Sequence, residues 1–149
     1  MSGRVRRTLT GALICDTSGL IAYFDASDAH HRKVAATIDG DSGPFIVSPF
    51  VLAELDYLLA TRRGFDAQGA ALSELASGAW DLACCPRDDL QRARDLVDRY
   101  RDQSIGLADA SLVVLAARYE TDRVLTLDHR HFRVLRTTTG QPFTILPAG

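Results

Sequence analysis

No apolar run in this 149-residue chain approaches the roughly 20 residues that a membrane-spanning helix needs. Nor is there an excess of one charge: 17 basic against 19 acidic residues leave a net charge of -2, so no global field draws a polyanion, and only local patches can. Cysteine is scarce and odd in number. Cys84 and Cys85 are neighbours, badly placed to pair with each other, and with Cys15 on an apolar segment the three read as reduced core thiols of a cytoplasmic protein. Lysine is nearly absent, Lys33 being the only one. There is no glycine-rich phosphate loop, which disfavours nucleoside-triphosphate hydrolysis. Low complexity is lacking too, because 46% hydrophobic and 24% charged residues are ordinary for a folded domain. Met1 to Arg7 carries three arginines, but a signal peptide there would have to include the first apolar strand. The expectation is a basic extension over residues 1–11 and one domain over 12–149, without linker or internal repeat.

The chain does contain a strand that ends on an acid. Ala12 to Cys15 is apolar, Asp16 stops it, and Thr17-Ser18-Gly19 suit a turn or helix start before Leu20 resumes apolar spacing. An acid so delivered lies at the carboxyl edge of a sheet, where open α/β folds place ligands. Further strands are expected at 44–48, 79–85 and 123–127, with a last edge strand at 142–146. Helices are expected from about Asp28 to Ile38, from Ser48-Pro49 to Arg63, and over 66–77, 86–102 and 107–119, with a short piece ending at Phe132. Strands alternating with helices call for a parallel sheet between helical layers.

Four carboxylates share an unusual setting. Asp16 and Asp128 each end a strand; Glu54 lies between Val51 and Leu58 on an apolar stripe; Asp109 opens the most apolar helix of the chain. In a parallel sheet all four converge on one edge. Two like charges about 4 Å apart repel by about 1 kcal/mol in water and roughly four times that near a protein surface. Either protons stay on or a divalent cation sits among them, and an oxygen-only set favours Mg²⁺ or Mn²⁺ over zinc. Such an ion suits phosphate-ester hydrolysis, since it polarises the phosphate and acidifies a bound water. Each acid also has a purely structural reading: Asp16 and Asp109 as helix caps, Asp128 as a turn residue, Glu54 as half of a buried salt bridge to an arginine.

The ordered set Asp16-Thr17-Ser18-Gly19-Leu20-Ile21-Ala22, Val51-Leu52-Ala53-Glu54-Leu55, Leu107-Ala108-Asp109-Ala110 and Leu125-Thr126-Leu127-Asp128 with Phe132 resembles the PIN-domain nucleases. Within them it is most similar to the toxin half of VapBC type II toxin–antitoxin modules. The resemblance runs from about Leu13 to the end; the basic extension is longer than is usual for the family. It implies an α/β fold, a three-layer α/β/α sandwich around a mostly parallel four- to five-stranded sheet, and endoribonuclease activity dependent on Mg²⁺, with Mn²⁺ able to substitute. It implies metal ligands at Asp16, Asp109 and Asp128, with Glu54 completing the catalytic pocket by holding water or a second ion. Thr17 and Thr126 would order the acids by hydrogen bonds. The implied partners are RNA, a second copy of the chain in a homodimer, and a VapB-type antitoxin whose tail covers the pocket, with Phe50 and Tyr57 as contacts.

Arg130 and Arg133, just past Asp128, are the candidate RNA-phosphate contacts. His30, His31, His129 and His131 lack zinc spacing and read as solvated surface; the arginines of the 87–101 segment alternate with acids and read as a solvated helix face; Trp80 and the phenylalanines read as core. Besides a binding-only domain with a silent pocket, two rival readings remain. One is a PIN-like nuclease of RNA processing. The other is a non-catalytic, metal-binding regulatory α/β domain, which would need a lysine near the last strand, and Lys33 is far upstream.

Overall fold

The computed structural model describes residues 11–149, so all but the last residue of the expected basic extension lies outside the described residues. The five strands are β1 (Leu13–Cys15), β2 (Phe45–Val47), β3 (Asp81–Leu82), β4 (Arg123–Leu125) and β5 (Thr144–Leu146). Their order in the sheet is β3-β2-β1-β4-β5, and every neighbouring pair is parallel. The central strand β1 is fully buried, as a strand covered on both faces must be, which is why its sequence is a continuous apolar run rather than an alternation.

Among the described residues, seven α-helices connect and cover the sheet: α1 (Thr17–Phe24), α2 (His31–Asp39), α3 (Pro49–Arg63), α4 (Phe65–Leu75), α5 (Arg87–Arg99), α6 (Leu107–Arg118) and α7 (His129–Val134). The chain leaves β1 toward β3 and then crosses back to β4 and β5. Right-handed crossovers therefore put α1 to α4 on one face and the later helices on the other. Most packing follows this division, with α1 against α2 and α3, α3 against α4, and α5 against α6, while α3 also meets α6 across it. Residues 110–116 of α6 are all buried, so the helix that is apolar on every side is covered on every side.

The local signals that start and stop α3 work as their chemistry dictates. Ser48 Oγ accepts the Phe50 N–H at 3.1 Å, Pro49 occupies the first turn where no N–H partner is needed, and Gly64 ends the helix at φ +90°. Gly19 has a different task. A Cβ there would lie 2.8 Å from Leu125 Cγ and 2.9 Å from the Leu125 carbonyl oxygen, so only glycine lets the first turn of α1 rest on the end of β4.

Several expected boundaries move. The third strand shrinks from 79–85 to two residues because it is an edge strand paired only with β2, and even Leu82, in register with Val47, is exposed. Cys84 is exposed rather than buried in the core, while Cys15 is buried and its thiol is pushed up by desolvation. The helix expected from Asp28 starts at His31, since Asp28 first forms a turn: its carboxylate accepts the His30 N–H at 2.8 Å and its carbonyl accepts the His31 N–H at 3.0 Å. The charged helix expected to run to 102 stops at Arg99 and continues as a 3₁₀ turn over Arg101–Gln103. β5 begins after Pro142, which has no N–H to give the ladder. Phe65 is an exception to the expectation that phenylalanines are core, being 84% exposed.

Candidate active site

Three neighbouring strands end at one level, and each hands its next residues to a helix. Cys15 is in register with Val47 of β2 and Leu125 of β4, so Asp16, Ser48 and Thr126 lie side by side at the carboxyl edge. Asp16 caps α1, Ser48 caps α3 and Asp128 caps α7. Helix N-termini carry unpaired N–H groups and the positive end of the peptide dipoles, which steadies carboxylates gathered there.

Asp16 is the most constrained of the acids. Its Oδ1 accepts the Thr17 N–H at 2.8 Å, and its Oδ2 accepts the Thr126 hydroxyl at 2.7 Å and the Ser18 hydroxyl at 3.4 Å. Burial pushes its carboxyl up to about 6 from 3.8; Thr126 opposes the rise and Asp109 adds to it. Asp109 is also raised, first by burial, with the His131 imidazole pulling it down and Asp128 pushing it up. Asp109 sits in the first turn of α6, whose cap is Gly106, so it is not the helix cap that position alone allowed. Asp128 is more open, its side chain one-third exposed, and it accepts the His131 N–H at 3.3 Å.

Glu54 reaches this edge from α3 and accepts the Thr17 hydroxyl at 2.6 Å. It is exposed rather than enclosed in the apolar stripe, because Val51 is buried while Leu58 is only half-buried and lines the same cleft. Thr17 and Thr126 thus both bond to acids. Thr126 also accepts the Asp128 N–H at 2.9 Å, and its hydroxyl lies 3.2 Å from that of Ser18, which in turn accepts the Leu127 N–H at 2.8 Å. A lattice of short hydroxyl side chains therefore ties both strand-end aspartates together.

The four acids line a single cleft of about 470 Å³. Clefts of about 480 and 530 Å³ occur elsewhere, so size does not single this one out; the convergence of acids does. His131 lines it as well, contrary to its reading as solvated surface. Its side chain is 16% exposed and its Nδ1 lies 3.0 Å from an oxygen of Asp109 and 3.0 Å from an oxygen of Asp128. The overlooked signal is its position three residues after Asp128 on a helix, which puts both side chains on one face. The other histidines are peripheral: His30 is exposed beside Asp28, and His31 Nδ1 is 2.8 Å from the Ala22 carbonyl. Arg62 also lines the cleft, two turns along α3 from Glu54, whereas Arg130 and Arg133 are exposed on α7 and do not line it.

One donor atom each from Asp109, Asp128 and His131 lie within 4.8 Å of one another, a spread compatible with a shared cation. Asp16 stands beside this group with both oxygens already engaged by hydrogen bonds.

The parallel sheet with its acidic carboxyl edge defines an α/β nuclease-like class, and residues 13–136 match the PIN domain family; the chain belongs to that family. It is 53% identical over 135 residues, 91% of this chain and the full length of the relative, to Ribonuclease VapC26 of Mycobacterium tuberculosis strain ATCC 25618 / H37Rv. Its fold is shared with the crystal structure of Mycobacterium tuberculosis VapC20, a sarcin–ricin loop cleaving toxin, at a TM-score of 0.72, 22% identity, and 76% and 87% coverage of the two chains. A toxin–antitoxin complex from Klebsiella pneumoniae gives 0.62, 18% identity, and coverage of 83% and 92%. No helix among the described residues is long and apolar enough to cross a membrane.

Proposed function

We propose that this protein is a metal-dependent endoribonuclease acting as the toxin of a type II toxin–antitoxin system. The observation that carries the reading is the convergence of Asp16, Glu54, Asp109 and Asp128 from four separate segments on one cleft. The 53% identity to a ribonuclease across that relative's whole length supports it. Asp16, Asp109 and Asp128 hold Mg²⁺, or Mn²⁺ in its place. The donor chemistry fits, since three carboxylates gathered on one cleft, two of them raised by burial, are relieved by positive charge between them. When bound, such an ion supplies Lewis-acid polarisation of the scissile phosphate and an activated water.

The remaining work belongs to the chain itself. Thr126 and the Thr17 N–H fix the Asp16 carboxylate in one orientation, so that little reorganisation is needed when the substrate arrives. Glu54, held by Thr17 at the rim, orients the attacking water and receives its proton. Arg62, on the same wall of the cleft, steadies the RNA backbone, and Arg130 and Arg133 extend that contact over the exposed face of α7. The same reading includes a homodimer, a cytoplasmic setting, and a VapB-type antitoxin that covers the cleft. Tyr57, 69% exposed, and the half-buried Phe50 offer that antitoxin apolar contacts on α3.

The test is cleavage of a mixed cellular RNA pool by the purified protein with Mg²⁺ or Mn²⁺, with EDTA, and with Asp16→Asn and Asp109→Asn in parallel. Cutting that needs metal and disappears in both variants is expected. Cutting that survives EDTA or both substitutions would place the activity outside this cleft.

A further inference from the structure

Among the described residues, His131 Nδ1 is the one buried side-chain nitrogen or oxygen without a hydrogen-bond partner. It is not isolated. It lies 3.0 Å from a carboxylate oxygen of Asp109 and 3.0 Å from one of Asp128, yet it is aligned with neither. A buried polar atom left without a directed bond is destabilising, so its persistence here calls for a partner. Two partners suit a ring nitrogen facing two carboxylates: a proton shared between them, or a cation bound by all three. A proton on the ring would pair it with one carboxylate at a time, whereas a cation between them satisfies the nitrogen and both carboxylates together. Donor atoms around one small divalent ion, each about 2.1 Å from it, are at most about 4.2 Å apart, and the three atoms here already lie within 4.8 Å.

The contacts made by the other acids point the same way. Asp16 and Glu54 already have hydroxyl or N–H partners from Thr17, Ser18 and Thr126, whereas the His131 ring nitrogen has only Asp109 and Asp128 before it. Fold and local sequence make the arrangement: α7 begins at Asp128 as its cap, and its first turn swings residue 131 back over that carboxylate toward the start of α6.

We propose that His131 Nδ1 is a protein ligand of the metal, converting an all-oxygen site into a nitrogen–oxygen one that prefers Mn²⁺ over Mg²⁺. The inference rests on the metal-dependent reading of the cleft given above. Mg²⁺ takes oxygen donors almost exclusively, whereas an imidazole nitrogen favours first-row transition ions. His131 is therefore a specificity-determining residue for the ion, whatever RNA is cut.

The experiment uses the full chain, freed of metal and titrated with Mn²⁺ alone, and reads the ¹⁴N hyperfine coupling of the bound ion by pulsed electron paramagnetic resonance. Wild type is expected to show the coupling of a directly bound imidazole, and His131→Asn and His131→Gln to lose it. Since disturbing even an outer partner of a ligand costs 10–100-fold in affinity, both variants should bind Mn²⁺ at least about tenfold more weakly. Competition with Mg²⁺ should show a smaller loss for that ion. Cooperative thermal unfolding of each variant checks that it is folded; if neither folds, the coupling in the wild type decides alone. Mn²⁺ bound to wild type without nitrogen coupling, or an unchanged Mn²⁺/Mg²⁺ preference in folded variants, overturns the proposal while leaving the nuclease reading intact. Failure of wild type to bind Mn²⁺ at all overturns both.

Discussion

Asp16 and Asp128 follow adjacent parallel strands, yet they are held in opposite ways. Asp16 is 5% exposed, with three donors fixing its two oxygens, and burial raises its carboxyl to about 6. Asp128 lies two residues further past its strand, is one-third exposed, and takes its only side-chain hydrogen bond from the backbone of its own helix. One acid is built into the frame and the other stands at the opening. The difference teaches that the frame accepts the cost of a buried carboxylate at the position where orientation is fixed most tightly.

The largest test of that contrast is catalytic. Asp16→Asn should lower RNA cleavage at least about a thousandfold, equivalent to roughly 4 kcal/mol of transition-state stabilisation. Asp128→Asn, at the more open position, should cost about a hundredfold or less under the same conditions. Equal losses would show that enclosure does not rank the two acids.

A second expectation concerns the protein freed of metal. An acid whose folded pKa is about 6 against an unfolded 3.8 holds a proton in the native state that the unfolded chain has already lost. Stability therefore falls as pH rises between about 4 and about 6, and above that the deficit is of order 3 kcal/mol. In EDTA, Asp16→Asn should be more stable than wild type at pH 7 and lose that advantage at pH 4, read by urea denaturation at both values. A variant no more stable at pH 7 than at pH 4 relative to wild type would contradict the buried-charge account.

The smallest effect comes from the hydroxyl that links the two acids. Thr126 donates to Asp16 and accepts from the Asp128 N–H, so Thr126→Val, nearly equal in shape, takes from Asp16 its shortest hydrogen bond and leaves that N–H without a partner. A loss of about 1–3 kcal/mol in urea denaturation at pH 7 is expected. It should be accompanied by a further rise in the Asp16 titration point, followed by NMR, because Thr126 opposes the effect of burial.

Much of this was legible in the chain because the signals are local. Ser48-Pro49 and Gly64 bracket α3 by capping chemistry, and the unbroken apolar runs of β1 and α6 could only be buried. Asp16, Asp109 and Asp128 were marked by apolar runs that stop or start on a charge. What escaped depends on register and distance. The length of β3 depends on its having only β2 as a neighbour, which the residues at 79–85 do not encode. Gly19 looked like a turn residue, yet its reason is Leu125, far along the chain. His131 sat in a polar run, HRHFR, whose composition suggests surface; only the direction in which α7 leaves the sheet turns that ring inward. Arg62 was hidden likewise, as one of two arginines ending a helix.

The hydroxyl of Thr126 reaches an acid 110 residues earlier in the chain, and β1 has β4 as a direct neighbour in the sheet. This sets an order of events during synthesis. A ribosome-bound chain that has emerged only as far as α5 has β1, β2 and β3 but no neighbour on the other side of β1, and Asp16 then lacks its strongest donor. The cleft closes only when β4 emerges and inserts beside β1, so the enzyme cannot be switched on piecemeal by an early fragment. For a protein read as toxic to the cell that makes it, the long-range strand pairing makes the acidic cleft depend on segments that are synthesised well after β1.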